Sequence, residues 1–292
     1  MKVFKMIIII KLMRPHQYIK NLFIFLPLFF ALKIGDKVLL LNDIIAFISF
    51  SLTASAIYIL NDYHDIKEDK KHPKKKNRPL ASGNITKSKA IFMMFILFIL
   101  GTTIMGLLSI KALFVLLIYI ILNIAYTFYL KYIAILDITI IAIGFVIRLF
   151  IGSIVTDITL SIWIVLMTFL LALFMALAKR RDDVIIFLNT GQKMRKVVDG
   201  YNLQFLDSAM SIMASVVIVS YTIYTTSPEV IEKFHTKYLY LTSIFVILAI
   251  LRYLQITFVY LNSGSPTKIV LKDHFIQSTI IAWIVSFVWI LY

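Results

Sequence analysis

Three regularly spaced aspartates, Asp62, Asp65 and Asp69, are the residues of this sequence best suited to chemistry. Their spacing of three and then four residues places them on one face of a helix, because an α-helix has about 3.6 residues per turn. Carboxylate oxygens gathered in this way are ligands that Mg²⁺ prefers in proteins. The spacing therefore predicts that the three aspartates hold Mg²⁺.

A dense basic run, residues 70–79, follows the aspartates directly, and an apolar stretch, residues 44–60, precedes them. The apolar stretch is long enough to cross a membrane. Lysine and arginine side chains bind phosphate oxygens, and together with Mg²⁺ they suit a diphosphate or another polyphosphate. We therefore predict an enzyme that acts on phosphorylated substrates at a membrane surface. The lysines of this run have a second explanation, because positive charge on the cytoplasmic side also fixes the topology of a membrane protein. His72 is expected to contact phosphate or to shape the turn.

The composition is that of an integral membrane protein. Of the 292 residues, 61% are hydrophobic and 15% are charged, with a mean hydropathy of +0.92; soluble domains are roughly 45–50% apolar. The formal net charge of +15 does not indicate nucleic-acid binding, because the basic stretches are interrupted by carboxylates and lack interleaved aromatic residues. The absence of cysteine excludes disulfides, thiolate metal sites and cysteine nucleophiles. HExxH, P-loop and GxGxxG motifs are also absent.

The apolar windows predict nine transmembrane helices in one membrane domain over residues 1–292, with an interfacial N-terminal segment at 1–20. Most lysines and arginines outside these windows then fall on one side of the membrane. By the positive-inside rule, that side and the N-terminus are cytoplasmic, in a bacterial-type inner membrane. The predicted spans are 21–35, 43–61, 89–109, 112–130, 134–152, 160–179, 207–226, 237–260 and 273–291.

Two long connections on the cytoplasmic side, residues 62–88 and 180–206, are predicted to be charged active-site loops. The second follows directly on a run that reads Lys179-Arg180-Arg181-Asp182-Asp183. Two such patches on one side of the membrane can close over a single metal–diphosphate, where metal and cations neutralise a departing diphosphate.

Further candidate site residues lie near the inner ends of the predicted spans: Arg14, Lys20, Tyr126, Lys131 and Asp137. Arg148 shares a helical face with Asp137, since eleven residues are nearly three whole turns. An ionisable residue within a span predicts a functional role. The competing interpretation is that Arg148 extends to the outer interface or pairs structurally, and the sequence leaves both open.

The motif Asn61-Asp62-x-x-Asp65-x-x-x-Asp69 resembles the first acidic motif of the UbiA superfamily of intramembrane prenyltransferases. Other segments resemble a phosphoribosyltransferase branch of that superfamily, in the order expected from residue 14 to about residue 207. These segments are Arg14-Pro15-x-Gln17-Tyr18-x-Lys20-Asn21, Asp69-x-x-His72-Pro73-x-Lys75-x-x-Arg78-Pro79, Tyr126 to Lys131, Leu136-Asp137, Gly144-Phe145-x-x-Arg148, Ala178 to Arg181, and Arg195 with Gly200-Tyr201.

This resemblance implies an all-α, nine-helix fold around a central cavity. It also implies that 5-phosphoribose passes from phosphoribosyl diphosphate (PRPP) to a polyprenyl, decaprenyl-like phosphate, with release of diphosphate and dependence on Mg²⁺. In the implied roles, metal is bound by three aspartates that Asn61 orients: Asp62, Asp65 and Asp69. Phosphate is bound by Arg14, Lys20, Lys75 and Arg78, and the donor is contacted by Tyr126 and Lys131. The lipid phosphate or the ribose 5-phosphate is bound by Lys179, Arg180 and Arg181. Asp137 and Asp183 are the remaining predicted substrate-binding residues. The branch usually has a glutamate after the basic pair, where this chain reads Asp182-Asp183. Which of these two aspartates is functional is left open.

Two other functions compete with this prediction. A UbiA-type prenyltransferase would join a polyprenyl diphosphate to an aromatic or lipophilic acceptor, but its second loop usually carries a DxxxD motif, where this chain reads Lys-Arg-Arg. A transporter would place polar residues near the bilayer midplane, whereas the charges here cluster at one interface. Assembly into a homo-oligomer is left open.

Overall fold

The computed structural model describes residues 2–71, 75–191, 193, 196–261 and 266–291. All regular secondary structure in these ranges is helical, which confirms the all-α prediction. Helices form from the apolar runs because a helix satisfies every backbone polar group within its own segment, as a bilayer requires. The α-helices are α1 (Lys2–Met13), α2 (Leu26–Phe30), α3 (Lys37–His64), α4 (Ile66–Lys71), α5 (Lys87–Leu108), α6 (Ile110–Phe128), α7 (Leu136–Thr156), α8 (Ile162–Thr190), α9 (Leu203–Thr226), α10 (Pro228–Phe234), α11 (Ser243–Phe258), α12 (Pro266–Lys272) and α13 (His274–Leu291).

Within the described residues, eight helical segments are long and apolar enough to cross a membrane. They are α3, α5, α6, α7, α8, α9, α13 and the segment Tyr238–Phe258, in which a short 3₁₀ turn leads into α11. Each coincides with one of the nine predicted spans. The chain is therefore a multi-pass membrane protein, as the composition predicts.

The first predicted span, residues 21–35, has a different form. A 3₁₀ helix over Pro15–Phe25 leads directly into the five-residue α2, and Arg14, in the left-handed region with φ 56°, separates it from α1. A 3₁₀ helix rises about 2.0 Å per residue and an α-helix about 1.5 Å, so this stretch is about 30 Å long. That length matches the hydrocarbon core of a bilayer at about 30 Å. The ninth transmembrane α-helix is thus not confirmed, although the segment has the length of a span.

The chain divides into two compact units, of which the first comprises Met1–Lys131 and Ile143–Leu160. Its central element is α3, which packs against α1, α5, α6 and the 3₁₀ helix. The buried side of α3 is rich in small residues, which let helix backbones approach closely in a membrane protein. At one such contact the Ser49 hydroxyl donates to the Gly101 carbonyl of α5 at 2.6 Å. Small residues of α3 thus set its close packing against α5.

Another close backbone approach, between α7 and the 3₁₀ helix, provides a test of the packing. A Cβ atom added at Gly152 would lie 1.9 Å from the carbonyl oxygen of Ile24. Because that oxygen belongs to the backbone, the helices must separate, and we expect Gly152→Ala to lower the free energy of unfolding by about 1–3 kcal/mol. Unfolding of the purified protein in detergent measures the change. Gly35→Ala is the control, since nothing lies within 4 Å of a Cβ there; equal stability of the two variants would contradict the prediction.

The second unit comprises Tyr132–Ala142 and Ser161–Tyr292. Here α8 packs against α9, and α11 packs against α9 and α13. Apolar side chains of these helices form its core, including Phe174, Leu177, Met210 and Tyr253.

Helix α8 continues well beyond its predicted end at residue 179. It ends at Thr190, where Gly191 adopts a left-handed conformation with φ 68° and closes the helix. The prediction of a loop over 180–206 is therefore wrong for its first eleven residues. The reason is that the chain contains no proline or glycine between residue 162 and Gly191, and Arg180 and Arg181 bind carboxylates instead of solvent. The basic run of residues 179–181 accordingly lies on a rigid helix.

Candidate functional site

The aspartate motif lies at the junction between α3 and α4. Helix α3 ends at His64, Asp65 is its C-terminal cap with φ −93° and ψ 10°, and α4 begins at Ile66. The amides of Asp65 and Asp69 still donate to the carbonyls of Asn61 and Asp65, at 3.0 and 2.8 Å. The prediction of one uninterrupted helical face is thus wrong at Asp65, although helical hydrogen bonding continues across the junction. We call Asn61, Asp62, Asp65 and Asp69 the acidic junction.

Two arginines neutralise the inner carboxylates of the acidic junction. Arg78 Nη1 donates to Asp62 Oδ1 at 3.0 Å and to Asp69 Oδ2 at 2.7 Å, and Arg14 Nη2 also donates to Asp62. Asp62 and Asp69 are both buried, whereas the two arginines are partly exposed. Charge-assisted bonds of this kind are stronger than neutral ones. The structure therefore joins Arg14 and Arg78 to the aspartates through ion pairs.

Asp65 has a different set of partners. Lys131 Nζ donates to Asp65 Oδ1 at 2.5 Å and lies 3.3 Å from His64 Nδ1, which is 2.9 Å from the same carboxylate oxygen. Burial opposes ionisation of Asp65, but the bonds with His64 and Lys131 outweigh it and hold the pKa of Asp65 below its ordinary value. The carboxylate is therefore ionised at neutral pH. Sequence reasoning did not assign His64 to the site, and its position next to Asp65 was the one available signal.

The acidic junction carries oxygen donors of the chemical type that suits a magnesium ion. Asn61 Oδ1 is buried and has no hydrogen-bond partner among the described residues, so it is available as a ligand. With the carboxylates of the three aspartates it makes a set of hard oxygen donors, which Mg²⁺ prefers. In the described ranges, no three acidic or histidine side chains already stand together as a metal site. The aspartates instead face Arg14, Arg78 and Lys131.

Arg148 lies inside the first unit with only 4% of its surface exposed. Its Nε donates to Asn21 Oδ1 at 2.9 Å and its Nη1 to the Gly144 carbonyl at 2.6 Å. The rings of Phe50, Tyr119 and Phe145 lie 4.6, 5.4 and 5.3 Å from the guanidinium carbon. The expectation that Arg148 extends to the outer interface is therefore wrong, and the expected pairing within the helices is what the structure shows.

The second unit holds a separate charged cluster around Asp137 and Arg180. Arg180, 1% exposed, donates to Asp137 and, at 2.6 Å, to Asp183 Oδ2. The Tyr201 hydroxyl donates to Asp137 Oδ1 at 2.6 Å and accepts from the Ile135 amide at 2.7 Å. Burial and the bond to Asp137 raise the pKa of Tyr201. We call Asp137, Arg180, Asp183 and Tyr201 the second-unit cluster.

The neighbouring Arg181 is held just as firmly. Its Nε donates to Asp207 Oδ1 at 2.6 Å, and its Nη1 donates to the Thr257 carbonyl at 2.9 Å. Both arginines of the basic run therefore already have anionic partners in the folded protein. Asp183, like Asp137, binds Arg180.

The structure also describes three other predicted site residues, Tyr126, Lys75 and Lys179. Tyr126 is half-buried in the last turn of α6 and makes no side-chain hydrogen bond with the described residues. Lys75 and Lys179 are half-buried. His72, Pro73 and Arg195, on which part of the sequence resemblance depends, lie outside the described residues.

The fold and the acidic junction together define a class of protein: a multi-pass membrane protein with a carboxylate–arginine site near one end of a transmembrane helix. The model of the UbiA prenyltransferase family matches residues 22–279. The chain therefore belongs to the UbiA prenyltransferase family, and it is a transferase by that membership.

Relatives with related sequences carry a more specific name. A protein of Mycolicibacterium smegmatis named decaprenyl-phosphate phosphoribosyltransferase is 32% identical over 286 residues, covering 94% of this chain and 90% of that protein. A protein of Corynebacterium glutamicum with the same name is 30% identical over 287 residues, covering 97% and 86%. The resemblance inferred from the motifs is thus confirmed over nearly the whole chain.

Solved structures share the fold. A UbiA homolog from Archaeoglobus fulgidus bound to DMAPP and Mg²⁺ superposes with a TM-score of 0.72 at 18% identity, over 94% of this chain and 96% of that one. The same homolog bound to GPP and Mg²⁺ gives a TM-score of 0.71 at 16% identity, over 96% and 97%. At these identities the likeness establishes the fold alone.

Proposed function

We propose that this protein transfers 5-phosphoribose from PRPP to a polyprenyl phosphate and releases diphosphate. In this reaction the bond between ribose C1 and the diphosphate oxygen breaks, and the electron pair leaves with the diphosphate. A new bond then forms between C1 and an oxygen of the lipid phosphate. The acidic junction with its bound arginines is the observation that supports this proposal most directly, because the leaving group is a polyanion. The relatives named decaprenyl-phosphate phosphoribosyltransferase support the choice of the transferred group and of the acceptor.

The acidic junction would hold the magnesium–diphosphate half of the donor. Asp62, Asp65 and Asp69 would bind Mg²⁺, with Asn61 adding its free oxygen. When bound, Mg²⁺ supplies positive charge that stabilises the negative charge developing on the leaving diphosphate. Arg14 and Arg78 now neutralise the aspartates. With metal at the carboxylates, these guanidinium groups can turn to diphosphate oxygens, so that every charge keeps a counter-charge.

Further substrate contacts are proposed separately within each of the two units. Lys131 is 6% exposed and bonded to Asp65, which places a cation directly beside a proposed metal ligand. We propose that it contacts the donor, together with Tyr126 and Lys75. Lys179, Arg180, Arg181, Asp137 and Asp183 remain proposed contacts for a substrate phosphate, although Arg180 and Arg181 would first have to exchange their present carboxylate partners.

The site is proposed to face the cytoplasm of a bacterial-type inner membrane. The support is the one-sided distribution of lysine and arginine along the sequence, which the positive-inside rule places in the cytoplasm. PRPP is a water-soluble, highly charged donor, so a cytoplasmic opening agrees with its supply.

A labelling experiment tests the donor. Purified protein receives polyprenyl phosphate and labelled PRPP in one reaction, and labelled prenyl diphosphate with an aromatic acceptor in another. We expect label from PRPP in a lipid product, with loss of all transfer when Mg²⁺ is removed by a chelator and recovery when it is restored. Label from prenyl diphosphate alone would support the alternative prenyltransferase and overturn the proposal. Transfer of neither label would contradict both enzymatic functions.

A further inference from the structure

The first unit contains two cations, the buried Arg148 and the half-buried Lys20, that make no ion pair with a carboxylate among the described residues. Arg14, Lys131, Arg180 and Arg181 each make an ion pair with an aspartate. Arg148 instead bonds to an amide oxygen and a backbone carbonyl, and Lys20 makes no ion pair within the described ranges. Buried charge without a counter-charge is costly, particularly within membrane helices. The excess of positive charge at this position therefore requires a function.

Polar and aromatic contacts surround the Arg148 guanidinium. Asn21 accepts from Arg148 and donates to the Ser51 hydroxyl of α3 at 2.9 Å. Three aromatic rings, one each from Phe50, Tyr119 and Phe145, hold the guanidinium from the sides. Lys20 directly precedes Asn21 in the same 3₁₀ helix, and Arg148 and Arg14 are the charged groups that act on its ammonium group. The site is thus a built cationic group inside an apolar helical unit.

An anion that is attached to an apolar chain fits these properties. The positive charges would bind the anion, and the apolar helices around them would accommodate the chain. Arg180 and Arg181, the other candidates for a phosphate contact, already bind Asp137, Asp183 and Asp207. The first unit therefore offers cations that need no rearrangement of an existing ion pair.

We propose that Lys20 and Arg148, positioned by Asn21, bind the phosphate of the polyprenyl acceptor. This inference rests on the proposed function and assigns one of its substrates to a defined subsite. The ribose 5-phosphate of the donor is also a phosphate monoester, so the test must separate the two sources.

Steady-state kinetics of Lys20→Met and Arg148→Gln distinguish the phosphate of the polyprenyl acceptor from the 5-phosphate of PRPP. Each substitution removes a charge–phosphate contact, so we expect the KM for polyprenyl phosphate to rise by about 10-fold or more, while the KM for PRPP changes by less than about 3-fold. Lys33→Met, a lysine exposed outside the site, is the control and should match the wild type. A rise confined to the KM for PRPP would assign the subsite to the donor and overturn the proposal.

Asn21→Asp provides a variant that keeps the size and the polar contacts of the site. The new carboxylate would supply the partner that Arg148 lacks, and the Ser51 hydroxyl could donate to it. We expect the thermal stability to be preserved and the affinity for polyprenyl phosphate to fall about 10-fold or more, because the carboxylate competes with the phosphate. A purely structural role for Arg148 predicts unchanged affinity for the lipid, and that result would contradict the proposal.

Binding without turnover distinguishes failure of this inference from failure of the proposed function. Stabilisation by polyprenyl monophosphate is compared with stabilisation by polyprenol, which lacks the phosphate. If the wild type uses no PRPP but prefers the monophosphate, and Lys20→Met loses that preference, the proposed function fails while the subsite stands. If the wild type uses PRPP and Lys20→Met keeps the preference, the subsite fails while the proposed function stands.

Discussion

Replacing Asp65 with asparagine is expected to lower kcat for transfer by about 10²–10³-fold or more, with no loss of folded protein. The substitution preserves the shape of the side chain at the end of α3 but removes the charge that the proposed metal requires. It also removes the counter-charge of Lys131, which lies 2.5 Å from Asp65. Transfer rates of the purified variant at saturating substrates and a range of Mg²⁺ concentrations measure the effect.

Glu68→Gln is the matched control for this prediction. Glu68 lies on the neighbouring α4 and is exposed, so neutralising it changes the local charge equally without touching the acidic junction. Its transfer rate should stay within about 3-fold of the wild type, because exposed charges interact weakly through water. Wild-type turnover by Asp65→Asn would remove the basis for a metal at this position.

Asp137→Asn is expected to have the largest effect on stability, lowering the free energy of unfolding by about 3–5 kcal/mol. Asp137 is fully buried, and its partner Arg180 is 1% exposed. Removal of one charge leaves the other buried without full compensation, which is more costly than losing a surface ion pair. The Tyr201 hydroxyl also loses its charged acceptor. Denaturant-induced unfolding of the purified protein in detergent measures the change.

Two further variants show whether the buried charge causes the loss of stability expected for Asp137→Asn. Asp199→Asn breaks the exposed pair with Lys193, 2.7 Å long, and should cost less than about 1 kcal/mol. The double variant Asp137→Leu with Arg180→Met removes both buried charges and should recover much of the stability lost in Asp137→Asn, because apolar replacement of a buried pair is often neutral. A single variant as stable as Asp199→Asn would contradict the argument.

Much of the helical architecture could be predicted because each apolar run of sufficient length must satisfy its backbone within one helix. The aspartate motif could be predicted from spacing, and the structure places Asp62 and Asp69 around one arginine, Arg78. The end of α8 could not be predicted in this way, because the hydropathy of the sequence falls at Lys179 while the helix continues up to Gly191. Besides the absence of proline and glycine, the carboxylates that bind Arg180 and Arg181 from distant positions in the sequence explain why the charged turn stays helical.

The site shows the same division between local and tertiary information. Asp65 could be assigned from the motif, but its bond to Lys131 joins residues 66 positions apart. His64 had no spacing signal of its own, and its place in the site follows from its contacts with Asp65 and Lys131. Arg148 left two interpretations open because its partner, Asn21, lies 127 positions away in the chain. Long-range contacts of this kind carry no periodic pattern.

The unusual winding of the segment Pro15–Phe25 has a consequence for its fit to α3. Tyr18 bonds to Ser55 of α3, and Asn21 bonds to Ser51. A step of three residues along the 3₁₀ helix therefore corresponds to a step of four residues along α3, and the two helices run in opposite directions. Three residues of a 3₁₀ helix and four of an α-helix both advance about 6 Å, which makes the two repeats commensurate. Deleting a single residue after Tyr18 would turn the rest of the segment by about 120° and break this register at Asn21. The segment thus tolerates changes of side chain better than changes of length.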